Sequence, residues 1–234
     1  MKRSTILTTS AALLLVGSLA HAQGDRGRGR GQDKKTVPPQ EQQQRVDDQR
    51  QRDTAYKTAL ANQVRAAQEA AAALQQHKRN AQYTFNQQYV ANLRQQQQRL
   101  NTQRDVTRDP YFTAPMTFSY RVGTTDRQTN EYGATVMRQA VRNGYQQGWK
   151  AGRADRSDRW PSNYQKSYGY EDANYGFGGN YLPQSDYNYY FREGFQRGYE
   201  DGYARRPRYG SVVNGSPSIL GNILSDILGL HSIG

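Results

Sequence analysis

Two stretches of this chain repeat one pattern: residues 141–155 read VRNGYQQGWKAGRAD, and residues 191–205 read FREGFQRGYEDGYAR. Each has a glycine at every fourth residue and an aromatic residue directly after its first two glycines. The glycines are Gly144, Gly148, Gly152, Gly194, Gly198 and Gly202, and the aromatics are Tyr145, Trp149, Phe195 and Tyr199. A spacing of four places residues on one face of an α-helix. Because a mid-helix glycine costs about 1 kcal/mol relative to alanine, this repetition predicts a close approach between two helices.

The repeat defines a predicted compact domain, residues 132–210. We expect a helical hairpin in which the aromatic ridge of each helix lies over the glycine groove of the other. Charged and amide side chains fill the intervening positions, which indicates a soluble form of small-residue packing and not a membrane span. The connecting loop is rich in tyrosine, glycine and asparagine. These tyrosines predict either a binding surface or the roof of a small core, and the sequence leaves both interpretations open.

The first 22 residues have the composition of a secretory signal peptide. Lys2 and Arg3 form a basic start, residues 6–19 form a mostly apolar core, and residues 20–22 (Ala-His-Ala) form a small-x-small cleavage site. We therefore expect export to a bacterial periplasm or to the extracellular space, with the mature chain starting near Gln23.

Residues 23–40 are predicted to be a disordered basic linker, because they combine glycine, arginine and lysine with almost no apolar side chain. Arg26, Arg28 and Arg30 alternate with glycine there. Such alternation is found in segments that bind nucleic acid. Because there is a single short copy of it, we favour a solvated linker over a nucleic-acid-binding segment.

Residues 41–108 contain no glycine or proline and are rich in glutamine, alanine, arginine and leucine, which favour helix. Unbroken, this arm would be a rod of about 100 Å. Apolar residues on a seven-residue spacing predict an imperfect coiled coil, which we expect to break near His77 and to mediate self-association. The seam comprises Val46, Leu60, Ala67, Leu74 and Ala81, with Val64, Ala71 and Phe85 at the partner positions. A solvated glutamine-rich segment is the alternative interpretation.

Residues 109–131 are predicted to be an extended or turn segment. Apolar side chains alternate with polar ones from Met116 to Val122, which is the period of a half-buried strand. A single strand needs a partner, and the sequence does not indicate one, since residues 123–131 are polar and typical of turns.

Residues 211–234 are predicted to contain a short apolar helix. Ser216 would cap it, and Pro217 would occupy its first position. Its single charge is Asp226, whereas helices at membrane surfaces carry lysine or arginine. We therefore expect it to dock onto the protein itself or onto a partner.

The chain carries a formal net charge of +12 and a mean hydropathy of −1.04. A basic exported protein attracts anionic polymers, here polysaccharide, lipopolysaccharide or nucleic acid. The candidate anion-binding residues are Arg26, Arg28, Arg30, Arg205, Arg206 and Arg208. The chain has no cysteine, which excludes disulfides, a lipid-anchoring cysteine and thiolate metal sites.

The sequence shows no catalytic or metal-binding motif. The two histidines that follow the signal lie in unrelated segments. The segment from Asp172 begins like a calcium loop, but Pro183 stands where the loop needs a bidentate glutamate. Two pairs of adjacent acids, at 171–172 and 200–201, are typical of solvated surface and do not indicate opposed catalytic carboxylates.

We therefore expect a mainly α protein: a long Gln/Ala-rich helix with coiled-coil heptads, then a compact helical hairpin with glycine-every-fourth-residue packing. The expected function is that of an exported, non-enzymatic structural or interaction protein without cofactor or metal. It would form a homo-oligomer through its arm and bind an anionic partner. In charge, size and helicity the chain resembles the Skp-type periplasmic chaperones, which implies a holdase acting on unfolded proteins as one alternative. A carbohydrate-active enzyme is the second.

Overall fold

The computed structural model describes residues 36–233, and this part of the chain begins with an antiparallel pair of long helices. Helix α1 spans Pro39–Gln76 and α2 spans Asn80–Asn101. The predicted break near His77 is confirmed, with Lys78 in the left-handed region at φ +56°. The arm is therefore a hairpin and not a single rod, and its helix ends at Asn101 and not at residue 108.

The two helices of the arm bury their apolar stripe within their own chain. Leu60, Ala67 and Leu93 have no exposed surface, and Phe85 and Tyr89 are almost as deeply buried. All five belong to one core that also contains the glycine-repeat helices. The seam from which the sequence predicts self-association is thus already covered over most of its length.

A β-hairpin follows the arm. Strand β1 (Phe118–Val122) pairs antiparallel with β2 (Thr125–Thr129). The prediction that the second segment is only a turn is wrong. Strand β2 reads TDRQT, so no apolar alternation indicates it. The sequence feature that indicates this hairpin is the turn between the strands, where Gly123 has φ +59°.

The predicted glycine packing is confirmed. Helix α3 spans Glu131–Ser157, a short α4 (Tyr168–Asp172) lies in the connection, and α5 spans Gln184–Ala204. A β-carbon added to Gly148 would lie 2.0 Å from the backbone oxygen of Phe195, and one added to Gly198 would lie 2.0 Å from that of Tyr145. The six glycines therefore face backbone of the other helix, whereas the sequence had predicted aromatic rings in their grooves.

The two glycine helices run in the same direction. Gly144, Gly148 and Gly152 meet the carbonyls of Phe191, Phe195 and Tyr199 in that order. An antiparallel hairpin would reverse the order of these contacts. Residues 158–183, with α4 among them, therefore carry the chain back along the length of α3 before α5 begins.

The C-terminal segment is a second hairpin followed by a helix. Strands β3 (Gly210–Val213) and β4 (Ser216–Ile219) pair antiparallel, α6 spans Gly221–Leu228, and β5 (His231–Ser232) pairs with the free edge of β1. The prediction that Ser216 caps the helix is wrong, because residues 216–219 form β4. Asn214 and Gly215 both have positive φ, which makes them a two-residue hairpin turn.

Helix α6 docks onto its own chain, against α3 and α5. Leu224 and Leu228 are buried there, while Leu220 is 40% exposed. This is the first of the two docking modes expected from the sequence.

Most of the tyrosines lie in the core or pack against it: eight of the eighteen are buried and nine are half-buried. Tyr145, Tyr187, Tyr190 and Tyr199 are completely buried, and among residues 36–233 Tyr132 alone reaches 37% exposure. The core they build is continuous with that of the arm. In this described part of the chain, no helix combines the length and the apolarity that a membrane crossing requires.

Candidate functional site

The outward face of α3 is basic. Arg142, Lys150 and Arg153 are exposed on it, with exposed Gln146 between the first two. Counted together with Gln146, these side chains follow one another at intervals of four, four and three residues. They therefore lie on one side of the helix, opposite the glycines that contact α5. Within residues 36–233 none of the three cations has a carboxylate within salt-bridge distance.

Because α3 and α5 are parallel, their C-terminal ends lie together, and this adds cations to the same region. The guanidinium of Arg156 donates to the carbonyls of Gly202 at 3.2 Å and Tyr203 at 2.8 Å, so it caps the end of α5. Burial, followed by the charges of Arg205 and Arg153, lowers the pKa of Arg156. Arg153 and Arg205 thus both lie close enough to Arg156 to act on its charge.

We call five exposed cations the basic surface: Arg142, Lys150, Arg153, Arg205 and Arg206. Two of them, Arg205 and Arg206, were predicted from the sequence, while the three on α3 were not assigned this role. They could have been found by drawing α3 as a helix, since they share the face opposite its glycines. The third predicted cation of the C-terminal cluster, Arg208, is exposed and lies 5.1 Å from the ring centre of Tyr209. Arg26, Arg28, Arg30 and the signal peptide lie outside the described residues.

A polar cleft of about 550 Å³ lies beside the N-terminal end of the basic surface. It is bounded by α2, α3 and the turn at residues 175–178, and most of its side chains are amides. Gln139 lines it one helical turn before Arg142, and Arg99 supplies its one cation; no carboxylate lines it. The cleft therefore extends the basic surface with groups that both donate and accept hydrogen bonds.

Five buried aspartates, which the sequence did not single out as a group, each accept a hydrogen bond from a tyrosine hydroxyl. The pairs are Tyr89–Asp172 at 2.7 Å, Tyr120–Asp186 at 2.8 Å, Tyr145–Asp201 at 2.7 Å, Tyr199–Asp155 at 2.6 Å, and Tyr181–Asp109. Two of these acids belong to the adjacent pairs that the sequence placed at the surface, and that interpretation is wrong for both.

The environment of these aspartates explains why the core tolerates them. Burial raises the pKa of Asp155 and of Asp172, and the hydrogen bonds from tyrosine oppose that rise. Asp155 also forms an ion pair with Arg79. Asp201 accepts from the backbone N–H groups of Arg208 and Tyr209. All these partners come from the protein, so the carboxylates hold the fold together.

Comparisons of the chain with protein-family models, with curated proteins and with solved structures found no match. Within residues 36–233, no group of three or more histidine, aspartate or glutamate side chains is placed to hold a metal ion.

Proposed function

We propose that this chain is an exported, non-enzymatic binding protein whose basic surface holds an anionic polysaccharide of the envelope or the extracellular space. The observation that carries the proposal is the row of exposed cations without carboxylate partners on α3, continued by Arg205 and Arg206. Arg142 and Arg153 are separated by about 16 Å of helix. A row of that length suits several acidic groups of one polymer better than a single small anion.

Two features favour an acidic polysaccharide over single-stranded nucleic acid. Proteins that hold single strands place exposed aromatic rings between their cations, so that bases can stack. On the basic surface the side chain between Arg142 and Lys150 is Gln146, and the aromatic Trp149 is 8% exposed. The adjoining cleft offers amides, which match the hydroxyl groups of sugars.

The test is binding of the full mature chain to an acidic polysaccharide such as alginate, at several salt concentrations. Replacing Arg142, Lys150 and Arg153 together by glutamine should weaken binding at low salt by more than about tenfold and flatten its salt dependence. The matched control replaces Lys57, Arg65 and Arg94, exposed cations on α1 and α2, and removes the same charge.

Equal losses in both triple variants would mean that net charge alone drives binding, and the proposed surface would be wrong. Single-stranded DNA and lipopolysaccharide serve as competing ligands in the same titration. Tighter binding of DNA than of alginate, at equal charge, would contradict the choice of polysaccharide.

Export is the part of the proposal that depends on the sequence alone. The basic start, the apolar core and the Ala-His-Ala site support it. Terminal sequencing of the native protein should give a start near Gln23, and an intact Met1 would contradict export.

Self-association through the arm stays a prediction, and the burial of the arm's apolar stripe weakens its basis. Sedimentation of the full chain distinguishes a monomer from an oligomer. The fully buried tyrosines, among them Tyr145, Tyr187 and Tyr199, offer no surface to unfolded clients, which gives the holdase alternative less support. In residues 36–233 no observation favours the holdase or the carbohydrate-active enzyme over the binding protein.

A further inference from the structure

The sequence contains two Asn-Gly dipeptides, Asn143–Gly144 and Asn214–Gly215, and the structure places them in opposite environments. The first lies inside α3, where Asn143 is 8% exposed and its amide nitrogen donates to the hydroxyl of Tyr187 at 2.9 Å. The N–H of a residue inside a helix donates to the carbonyl four residues before it. At the first dipeptide, the side chain and the backbone nitrogen are therefore both held in hydrogen bonds.

The second dipeptide forms the tip of the hairpin of β3 and β4, between the paired residues Val213 and Ser216. Asn214 and Gly215 are both exposed, with φ of +51° and +78°. In a two-residue turn the closing hydrogen bond joins the residues on either side of the turn, so it leaves the N–H of Gly215 unused. Apart from the chain on either side, a β-carbon added to Gly215 would meet nothing within 4 Å. The backbone nitrogen that follows Asn214 is thus open to water and to the asparagine side chain.

We propose that Asn214 is a site of spontaneous deamidation. The backbone nitrogen of Gly215 loses its proton and bonds to Cγ of Asn214, the Cγ–Nδ2 bond breaks, and the amide group leaves as ammonia with that proton. The product is a five-membered succinimide ring. Water then opens the ring at one of its two carbonyl groups, which gives aspartate or isoaspartate. Water is the only reactant besides the chain itself.

Deamidation changes both the charge and the backbone of the hairpin. Each product adds a negative charge to a segment that has no charged residue from Tyr209 to Ser225. Isoaspartate also lengthens the main chain by one carbon atom, for which a two-residue turn has no place. We expect β3 and β4 to lose their pairing, and Ile219 of β4, which is 8% exposed, to lose its buried position. The site shares no residue with the basic surface, so it is independent of the polysaccharide proposal.

The experiment is storage of the full mature chain at neutral and at mildly alkaline pH, followed by peptide mapping with mass spectrometry. Conversion should be faster at the higher pH, because the attacking nitrogen must first lose its proton. In the folded protein Asn214 should convert at least about tenfold faster than Asn143, which reacts only when α3 opens. In the chain unfolded in guanidinium, the two sites should convert at similar rates. Equal rates in the folded protein, or an intact Asn214 when the unfolded chain has already reacted, would overturn the proposal.

Asn214→Gly tests the effect of the modification on the hairpin. Glycine adopts a positive φ readily and has no side chain to deamidate, so this variant should fold normally and stay unchanged on storage. Hydrogen exchange then compares it with the stored protein that carries isoaspartate. The amides of β3 and β4 should exchange at least about tenfold faster in the modified protein than in the stored variant. Equal protection of these amides would contradict the predicted loss of pairing.

Discussion

At the scale of single residues, the six repeat glycines of α3 and α5 leave no room for a β-carbon. The β-carbon of an alanine at Gly148 or Gly198 would lie 2.0 Å from a backbone oxygen of the other helix. A backbone carbonyl inside a helix cannot move aside as the end of a flexible side chain can. The helices would have to separate, and the aromatic core on both sides of the contact would separate with them.

We therefore expect Gly148→Ala and Gly198→Ala each to lower the free energy of unfolding. Alanine gains about 1 kcal/mol of helix propensity, but overpacking typically costs about 1–3 kcal/mol and a backbone contact belongs at the upper end. The control is Gln146→Ala, because Gln146 is exposed, whereas its neighbour Gln147 is only 3% exposed. Urea unfolding measures all three variants, and glycine variants as stable as the control would show that α3 and α5 do not touch.

At the scale of elements, the C-terminal helix α6 packs onto the core through its buried face. It contacts α3 and α5 through Leu224 and Leu228, and the strand after it joins the edge of β1. The element thus connects the glycine-repeat pair to the first β-hairpin.

Leu228→Ala tests this connection. Leu228 is 4% exposed, and truncating a buried leucine typically costs about 2–5 kcal/mol. The same substitution at Leu220, which is 40% exposed, should cost much less. Thermal unfolding compares the two, and equal losses would mean that α6 is not held by its buried face.

The elements also show what the sequence could predict. The helix pair, the break near His77 and the apolar C-terminal helix follow from local patterns of glycine, charge and hydrophobicity. The direction of α5 relative to α3 cannot be predicted in this way, because glycines at every fourth residue have the same spacing in both directions along a helix. Strand β2 has no apolar alternation, so only its pairing with β1 defines it. The polar cleft combines residues from α2, α3 and the turn at residues 175–178, which no local pattern brings together.

At the scale of the whole molecule, six of the twelve largest fully buried side chains among the described residues are phenols. Burial raises the pKa of Tyr56, Tyr145, Tyr187 and Tyr190 above the ordinary value of 10.0. A folded-state pKa above the unfolded value means that the contribution to stability is fully present below pH 10.0 and is lost as the pH rises beyond it.

We expect the protein to unfold cooperatively in alkali, with most of its tyrosines ionising in the same transition. Tyrosinate absorbance and far-ultraviolet circular dichroism, followed together above neutral pH, measure this directly. The chain unfolded in guanidinium is the control and should titrate with an ordinary phenol pKa. Smooth ionisation near pH 10 with the helical signal intact would contradict the buried positions of these rings.

The glycine contact has one further consequence, which concerns the uniqueness of the fold. A period of four means that sliding α5 along α3 by about 6 Å would again set glycines against carbonyls, so the contact by itself permits more than one register. Tyr145 reaches Asp201, and Tyr199 reaches Asp155, only in the observed alignment. Replacing both tyrosines by phenylalanine should keep the helix content but broaden the amide resonances of both helices, and sharp, unshifted resonances would contradict this assignment. The two hydroxyl–carboxylate pairs thus select one register of α5 along α3, a choice that the repeating glycine contact does not make by itself.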